Sequence, residues 1–300
     1  MRFLTFLAAD GQARAGVLED DRVIDLAVLA ESRGTTVPGT VLEIIGDESA
    51  LASVSRLLES TQGAVPDAAV HALDTVTLKA PFRPGKIIGV GLNYVEHVAE
   101  SNRTLDTAKE LPTRPVLFSK PGTAVVGPGE PIVHNAELTK ELDWEVELAV
   151  VIGRTAKNVT REHALDYVVG YTITNDVSAR DQRRSGQWFF SKGQDSYAPL
   201  GPWVVTADEI PDPQELDLSL KVNGEVKQEA NTRHMLFPIA QLIEDITSGM
   251  TLEPGDVIAT GSPSGVGAAQ TPPQYLVPGD VVELDIERIG RLSNPVVAAR

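Results

Sequence analysis

Glu145 and Glu147 sit two residues apart in Asp143-Trp144-Glu145-Val146-Glu147-Leu148-Ala149-Val150-Val151-Ile152-Gly153, a run that otherwise reads as a buried strand. Successive strand side chains alternate between faces, so the two carboxylates share one face and Val146 and Leu148 share the other. Held side by side against apolar neighbours, two like charges repel and lose solvation, which calls for a positive partner between them. Hard divalent cations answer that need. Mg²⁺ in particular is held by a few carboxylates and keeps waters or substrate in its other positions. The plainer alternative is a half-exposed strand with an acidic face in water.

Four further stretches carry reactive residue types. Gly170 to Asp181 reads as a second strand ending in Asn175-Asp176, where Asp176 could add a third oxygen ligand or merely cap a turn. Trp188-Phe189-Phe190-Ser191-Lys192-Gly193-Gln194-Asp195 places a lone Lys192 among aromatics, ahead of a turn expected at Pro199 to Pro202. Lys192 could steady charge on a substrate oxygen or simply snorkel. If the chain after Asn93 is helical, His97 and Glu100 stand at i and i+3, the spacing of a general base and its orienter and also of a common surface pair. Gly89-x-Gly91 lacks the third glycine and the lysine of a nucleotide loop. Gly255 to Gly267 is dense in glycine and hydroxyls, either a plain turn cluster or a loop whose N–H groups approach a carboxylate.

Composition narrows the partners. With 42 acidic against 26 basic residues the chain carries a formal charge of −16, so neither nucleic acid nor an anionic membrane is an expected partner. A small anionic substrate stays compatible, because one bound cation reverses the field locally. There are no cysteines, which removes disulfides, thiol nucleophiles and zinc-thiolate sites together. The apolar start at Met1 to Ala9 is too short for a signal peptide and no run is long enough to span a bilayer, so a cytoplasmic protein is expected.

The elements that must position these residues read as follows. Arg2 to Leu29 is a small meander, and Thr40 to Leu58 has helical spacing interrupted near Gly46. A strand-like Asp74 to Leu78 marks a boundary, giving a small N-terminal α+β domain at 1–75 and a larger domain at 76–300. Beyond it strands dominate, with helical insertions at Val95 to Glu100, Arg161 to Tyr167 and Pro238 to Thr247. Two Pro-Gly-Asp turns feed Val257-Ile258-Ala259 and Val281 to Leu284. The fold class is therefore α+β and β-rich.

In this order the motifs Gly91 to Glu100, Glu145 to Leu148, Asn175 to Asp181, Lys192 to Pro202 and Thr260 to Gly267 resemble the fumarylacetoacetate hydrolase family across residues 80 to 300. The resemblance implies a mixed β-roll catalytic domain, assembly as homodimers or multiples of them, and a 2-oxo acid substrate. It also implies that Glu145, Glu147 and Asp176 bind Mg²⁺ or Mn²⁺, that Lys192 assists at the substrate, and that His97 and Glu100 form a dyad on a lid. Thr260, Gly261 and Ser262 would hold a substrate carboxylate, with Arg180 and Gln182 also on the substrate. Ser262 stands where the family usually has Thr, and Gln182 follows Asp181 one residue earlier than the usual pattern. The activity favoured on this basis is hydrolysis of a carbon–carbon bond in a 2,4-dioxo acid such as an acylpyruvate, since the dyad supplies a water-activating base. Decarboxylation of oxaloacetate, isomerisation of 2-hydroxyhepta-2,4-diene-1,7-dioate and ligand binding without turnover are the alternatives.

Overall fold

The strand that carries Glu147, with Glu145 just ahead of it, is buried on both faces. In the computed structural model, which describes residues 1–61, 64–96 and 111–299, Val146–Ile152 is covered throughout. Its even residues Val146, Leu148, Val150 and Ile152 pack into the principal core, while Ala149 and Val151 face a second one. This alternation is what a central strand between two layers requires.

The chain opens with Arg2–Leu7 (β1), Ala13–Glu19 (β2) and Arg22–Asp25 (β3), the expected meander. Helices Leu26–Ser32, Val41–Ile45 and Glu48–Glu59 follow. The last two are separated at Gly46, and Asp47 caps the second through the amides of Ser49 and Ala50. Short strands Val70–Ala72 (β4) and Thr77–Lys79 (β5) lead to Ile87–Gly91 (β6), Val116–Lys120 (β7), Val125–Val126 (β8) and Ile132–His134 (β9). Then come Leu142–Asp143 (β10), Val146–Ile152 (β11), Val168–Asn175 (β12), Ser178–Ala179 (β13) and Ala198–Thr206 (β14). The C-terminal part holds Asp217–Val222 (β15), Glu225–Asn231 (β16), Val257–Ala259 (β17), Val281–Ile286 (β18) and Gly290–Ala298 (β19).

One large sheet runs in the order β4-β3-β2-β1-β14-β12-β11-β17-β6-β7, with β5 on β1 and β8 on β14. A five-stranded sheet, β16-β15-β18-β19-β9, packs over its even-residue face together with helix Ile239–Gly249, whose Ile239, Leu242, Ile243 and Ile246 turn inward at helical spacing. The first 75 residues supply four strands of the large sheet, because β1 pairs with β14 at Phe3↔Val204. Among the described residues no helix is long and apolar enough to cross a membrane.

One local expectation is corrected, the turn at Pro199 to Pro202. Arg161–Tyr167 is helical as expected, wound as a 3₁₀ helix. Pro199 to Pro202 is not a turn: it lies inside β14, where Gly201, at φ 142°, passes opposite Ile173 and the β12 register shifts between Tyr171 and Ile173. The irregular register accommodates prolines in a central strand. In the segment Val95 to Glu100, Val95 and Glu96 are helical, and His97 and Glu100 lie outside the described residues.

Candidate active site

The acid triad is assembled by pairing at the start of β11. Val146 is in register with Asn175 and Glu147 with Thr174. Asn175 Oδ1 accepts the Glu145 amide at 3.0 Å, and the Asp176 amide donates to Glu145 O at 2.9 Å. Asp176 is thus carried from the end of β12 to the acidic end of β11. Glu145, Glu147 and Asp176, all buried, each bring an oxygen within 4.8 Å of the other two. Three hard oxygen ligands, one on β11 and two at the adjoining ends of β11 and β12, fit a divalent cation of the Mg²⁺ or Mn²⁺ type. Burial first, then the charges of Asp176 and Glu145, push the Glu147 carboxyl well above the usual carboxylate range. A cation there would expel that proton.

Among the described residues, three cationic side chains form ion pairs with the triad. Lys192 Nζ donates to Glu145 Oε2 at 2.7 Å, to Ser178 Oγ at 2.8 Å and to Asp176 Oδ2. Burial lowers its ammonium, but Asp176 and Glu145 outweigh burial and hold it above its ordinary value. Arg180 donates through Nε to Asp143 Oδ2 at 2.8 Å and through Nη2 to Glu145 Oε1 at 2.6 Å. Lys120, at the end of β7, donates to Asp176 Oδ1 and to Val177 O at 3.1 Å. For Lys120 burial wins over the pull of Asp176, and its ammonium falls below the usual range. Counting Asp143, four carboxylates face these three ion-paired cations among the described residues, with Arg183 also on the pocket wall, so a bound divalent ion leaves the cluster able to attract an anion.

An aromatic floor closes the pocket beneath Lys192. Its Nζ lies 4.9 Å from the Phe118 ring centre and 5.8 Å from that of Trp188. The two glycines of Gly89-x-Gly91 explain themselves here. A Cβ on Gly89 would stand 2.1 Å from Phe118 and one on Gly91 would stand 2.6 Å from Trp188. These glycines seat aromatic rings, with no nucleotide involved. Just beyond β6, Leu92 takes a left-handed φ of 59°, a conformation that costs about 1–2 kcal/mol. Buried Asn93 fixes it by bonding Phe237 on both sides of its carboxamide and Thr260 O at 2.7 Å.

The structure brings together most of the residues expected from sequence. Val90, Gly91, Leu92, Glu145, Glu147, Arg180, Arg183, Trp188, Ser191, Lys192 and Ser262 line one pocket. Gly261 takes part through its backbone, donating to Glu147 Oε2 at 3.0 Å. Thr260 stands behind it, fully buried, with its hydroxyl donated to Leu148 O at 2.8 Å. Gln182 points elsewhere, giving Nε2 to Leu138 O and receiving Arg184 on Oε1. Sequence reading missed Lys120, Asp143 and Gln228. Asp143 shares the parity of Glu145 and accepts the amides of Gly267 (2.6 Å) and Ala268 (3.0 Å), which ties the glycine-rich loop to the triad.

Residues 86–297 match the family described as Fumarylacetoacetate (FAA) hydrolase C-terminal. The Xenopus laevis protein named "Oxaloacetate tautomerase fahd2, mitochondrial" is 40% identical over 305 residues, covering 99% of this chain and 90% of its own. "Oxaloacetate tautomerase YisK" of Bacillus subtilis is 38% identical over 288 residues, covering 93% of this chain and 94% of its own. Among solved structures, a maleylpyruvate hydrolase from Sphingobium sp. SYK-6, in complex with manganese (II) ion and pyruvate, superposes with a TM-score of 0.80 at 32% identity over the full length of both chains. The site geometry and these matches agree, and the chain belongs to the fumarylacetoacetate hydrolase family.

Proposed function

We propose that this protein is a divalent-cation-dependent enzyme acting on a small 2-oxo acid, and that its reaction is keto–enol interconversion of an oxaloacetate-like 2-oxo diacid. The observation that carries this reading is the buried triad of Glu145, Glu147 and Asp176 facing a pocket edged by Lys192 and Arg180. Glu145, Glu147 and Asp176 would hold Mg²⁺ or Mn²⁺, which would supply Lewis-acid polarisation of the bound 2-oxo acid. Lys192 spends its three N–H donors on Glu145, Asp176 and Ser178, and its fixed positive charge beside the same point would stabilise negative charge developing on the substrate. Arg180 spends Nε and Nη2 on Asp143 and Glu145 and so orients the ligand set. Phe118 and Trp188 exclude water from beneath. His97, which the sequence pairs with Glu100 as base and orienter, would in this reaction move the C3 proton. Full-length similarity to two proteins named oxaloacetate tautomerase supports this reaction over others, and the working assembly we propose is a homodimer.

Hydrolysis of a 2,4-dioxo acid is the second reading, favoured by the likeness to maleylpyruvate hydrolase. One assay separates them. Enol oxaloacetate and a panel of acylpyruvates are each given to protein with Mn²⁺, scoring enol absorbance, pyruvate and carbon dioxide independently. Loss of enol absorbance without pyruvate supports tautomerisation. Pyruvate from an acylpyruvate supports hydrolysis, and carbon dioxide from oxaloacetate supports decarboxylation. No change in any of the three would reject a 2-oxo acid enzyme.

A further inference from the structure

The protons around one hydroxyl of the site are directed from the second sheet. Gln228, on β16 and 1% exposed, accepts the Val146 amide on Oε1 at 2.9 Å. A backbone N–H can only donate, so the carboxamide has a single orientation. Its Nε2 donates to Ser262 Oγ at 2.8 Å and to Pro263 O at 2.8 Å. A carbonyl can only accept, so both Nε2 protons are spent and Ser262 Oγ must be the acceptor of one of them.

Ser262 is 3% exposed and lines the same pocket as Glu145, Glu147 and Lys192. Among the described residues no acceptor takes its own proton. A buried donor without a partner is unfavourable, and a ligand oxygen in the pocket would relieve it. The loop is held against Gln228 by close backbone approach: at Gly265, φ 101°, a Cβ would stand 2.0 Å from Lys227 O.

We propose that Gln228 is a positioning residue that commits Ser262 to donate its hydroxyl proton into the pocket. The bound acid therefore presents an acceptor oxygen, carboxylate or 2-oxo, at that point, and an ammonium or other donor there is rejected. This rests on the 2-oxo acid reading given above. Near-isosteric Gln228→Glu offers Ser262 an acceptor where it had a donor, and so turns the hydroxyl away from the pocket.

The test is calorimetric titration of the Mn²⁺-loaded protein with pyruvate, on wild type, Ser262→Ala, Gln228→Glu and the double variant, with Mn²⁺ affinity and melting temperature measured alongside. We expect Ser262→Ala and Gln228→Glu each to weaken pyruvate about 10- to 100-fold, the scale of a hydrogen bond to a charged group. Mn²⁺ affinity should hold, and adding Gln228→Glu to Ser262→Ala should cost less than about twofold more. Additive losses, or wild-type pyruvate binding by Gln228→Glu, overturn the proposal. Should Gln228→Glu fail to fold, Gln228→Met takes its place and must show the same lack of additivity. A wild-type protein that binds Mn²⁺ but no pyruvate instead overturns the 2-oxo acid reading itself.

Discussion

Asn175 Oδ1 accepts the backbone N–H of Glu145 at 3.0 Å, and that bond fixes where the second strand delivers Asp176. Asn175→Ala leaves the buried Glu145 amide without its partner, at a cost of about 1–3 kcal/mol. Cation affinity should fall at least about tenfold, the scale seen when groups that orient ligands are lost. Thermal melts and Mg²⁺ titration of the variant measure both.

Glu147 gives the metal site a pH signature. Its folded carboxyl is raised by burial and by Asp176 and Glu145, so the folded chain holds this proton more tightly than the unfolded chain, where it leaves near about pH 4.3. In cation-free protein the Glu147 contribution to stability therefore declines as pH rises from that value through the folded one. Added Mg²⁺ should raise the melting temperature more at high pH than at low pH. Glu147→Gln should flatten the Mg²⁺ effect and weaken Mg²⁺ binding more than it weakens folding. Melts across pH with and without Mg²⁺ decide it.

The two buried lysines should separate structure from chemistry. Removing one partner of a buried ion pair costs about 3–5 kcal/mol, so Lys120→Met and Lys192→Met both lower cation-free stability, and Mg²⁺ restores part of it. Only Lys192 lines the pocket. Lys192→Met should lose about a hundredfold or more in kcat with Mg²⁺ still bound, the scale seen when a preorganised group that stabilises transition-state charge is deleted. Lys120→Met should keep most of its kcat once loaded. Equal kcat losses would place Lys120 at the substrate as well.

Gly91→Ala drives a Cβ to 2.6 Å from the Trp188 ring. Overpacking of this kind costs about 1–3 kcal/mol, and because Trp188 forms the pocket wall KM should rise as the ring shifts. Trp188 fluorescence, isolated by comparison with Trp188→Phe, reports the movement. An unshifted spectrum with normal KM would mean that the ring yields freely.

What could be read from sequence follows the range of the interactions. Glu145 and Glu147 were legible because the period of two that runs into β11 from the residue before it places them, and Asp176 because the chain stops being strand-like after Asn175. The meander of β1 to β3 is equally local. Lys120 was not legible, since its approach to Asp176 depends on β7 pairing with β6 at Gly89↔Phe118 and on the order of the whole large sheet. Gln228 comes from the other sheet. Pro199 to Pro202 carried a local turn signal that β14, paired on both sides, overrides. Arg180, expected on the substrate, gives Nε and Nη2 to Asp143 and Glu145 because the β10–β13 pairing at Leu142↔Ala179 sets it beside them.

The measurement closest to the central claim is the rate of enol-to-keto conversion of oxaloacetate by chelator-treated protein before and after Mn²⁺ is returned, with protein-free Mn²⁺ subtracted. The rate should vanish with the chelator, return with Mn²⁺ in the wild type, and stay absent in Asp176→Asn, whose folding is checked by its melt. A rate that survives the chelator, or a folded Asp176→Asn that matches the wild type after Mn²⁺ is restored, would contradict the assignment of Glu145, Glu147 and Asp176 as the centre of catalysis.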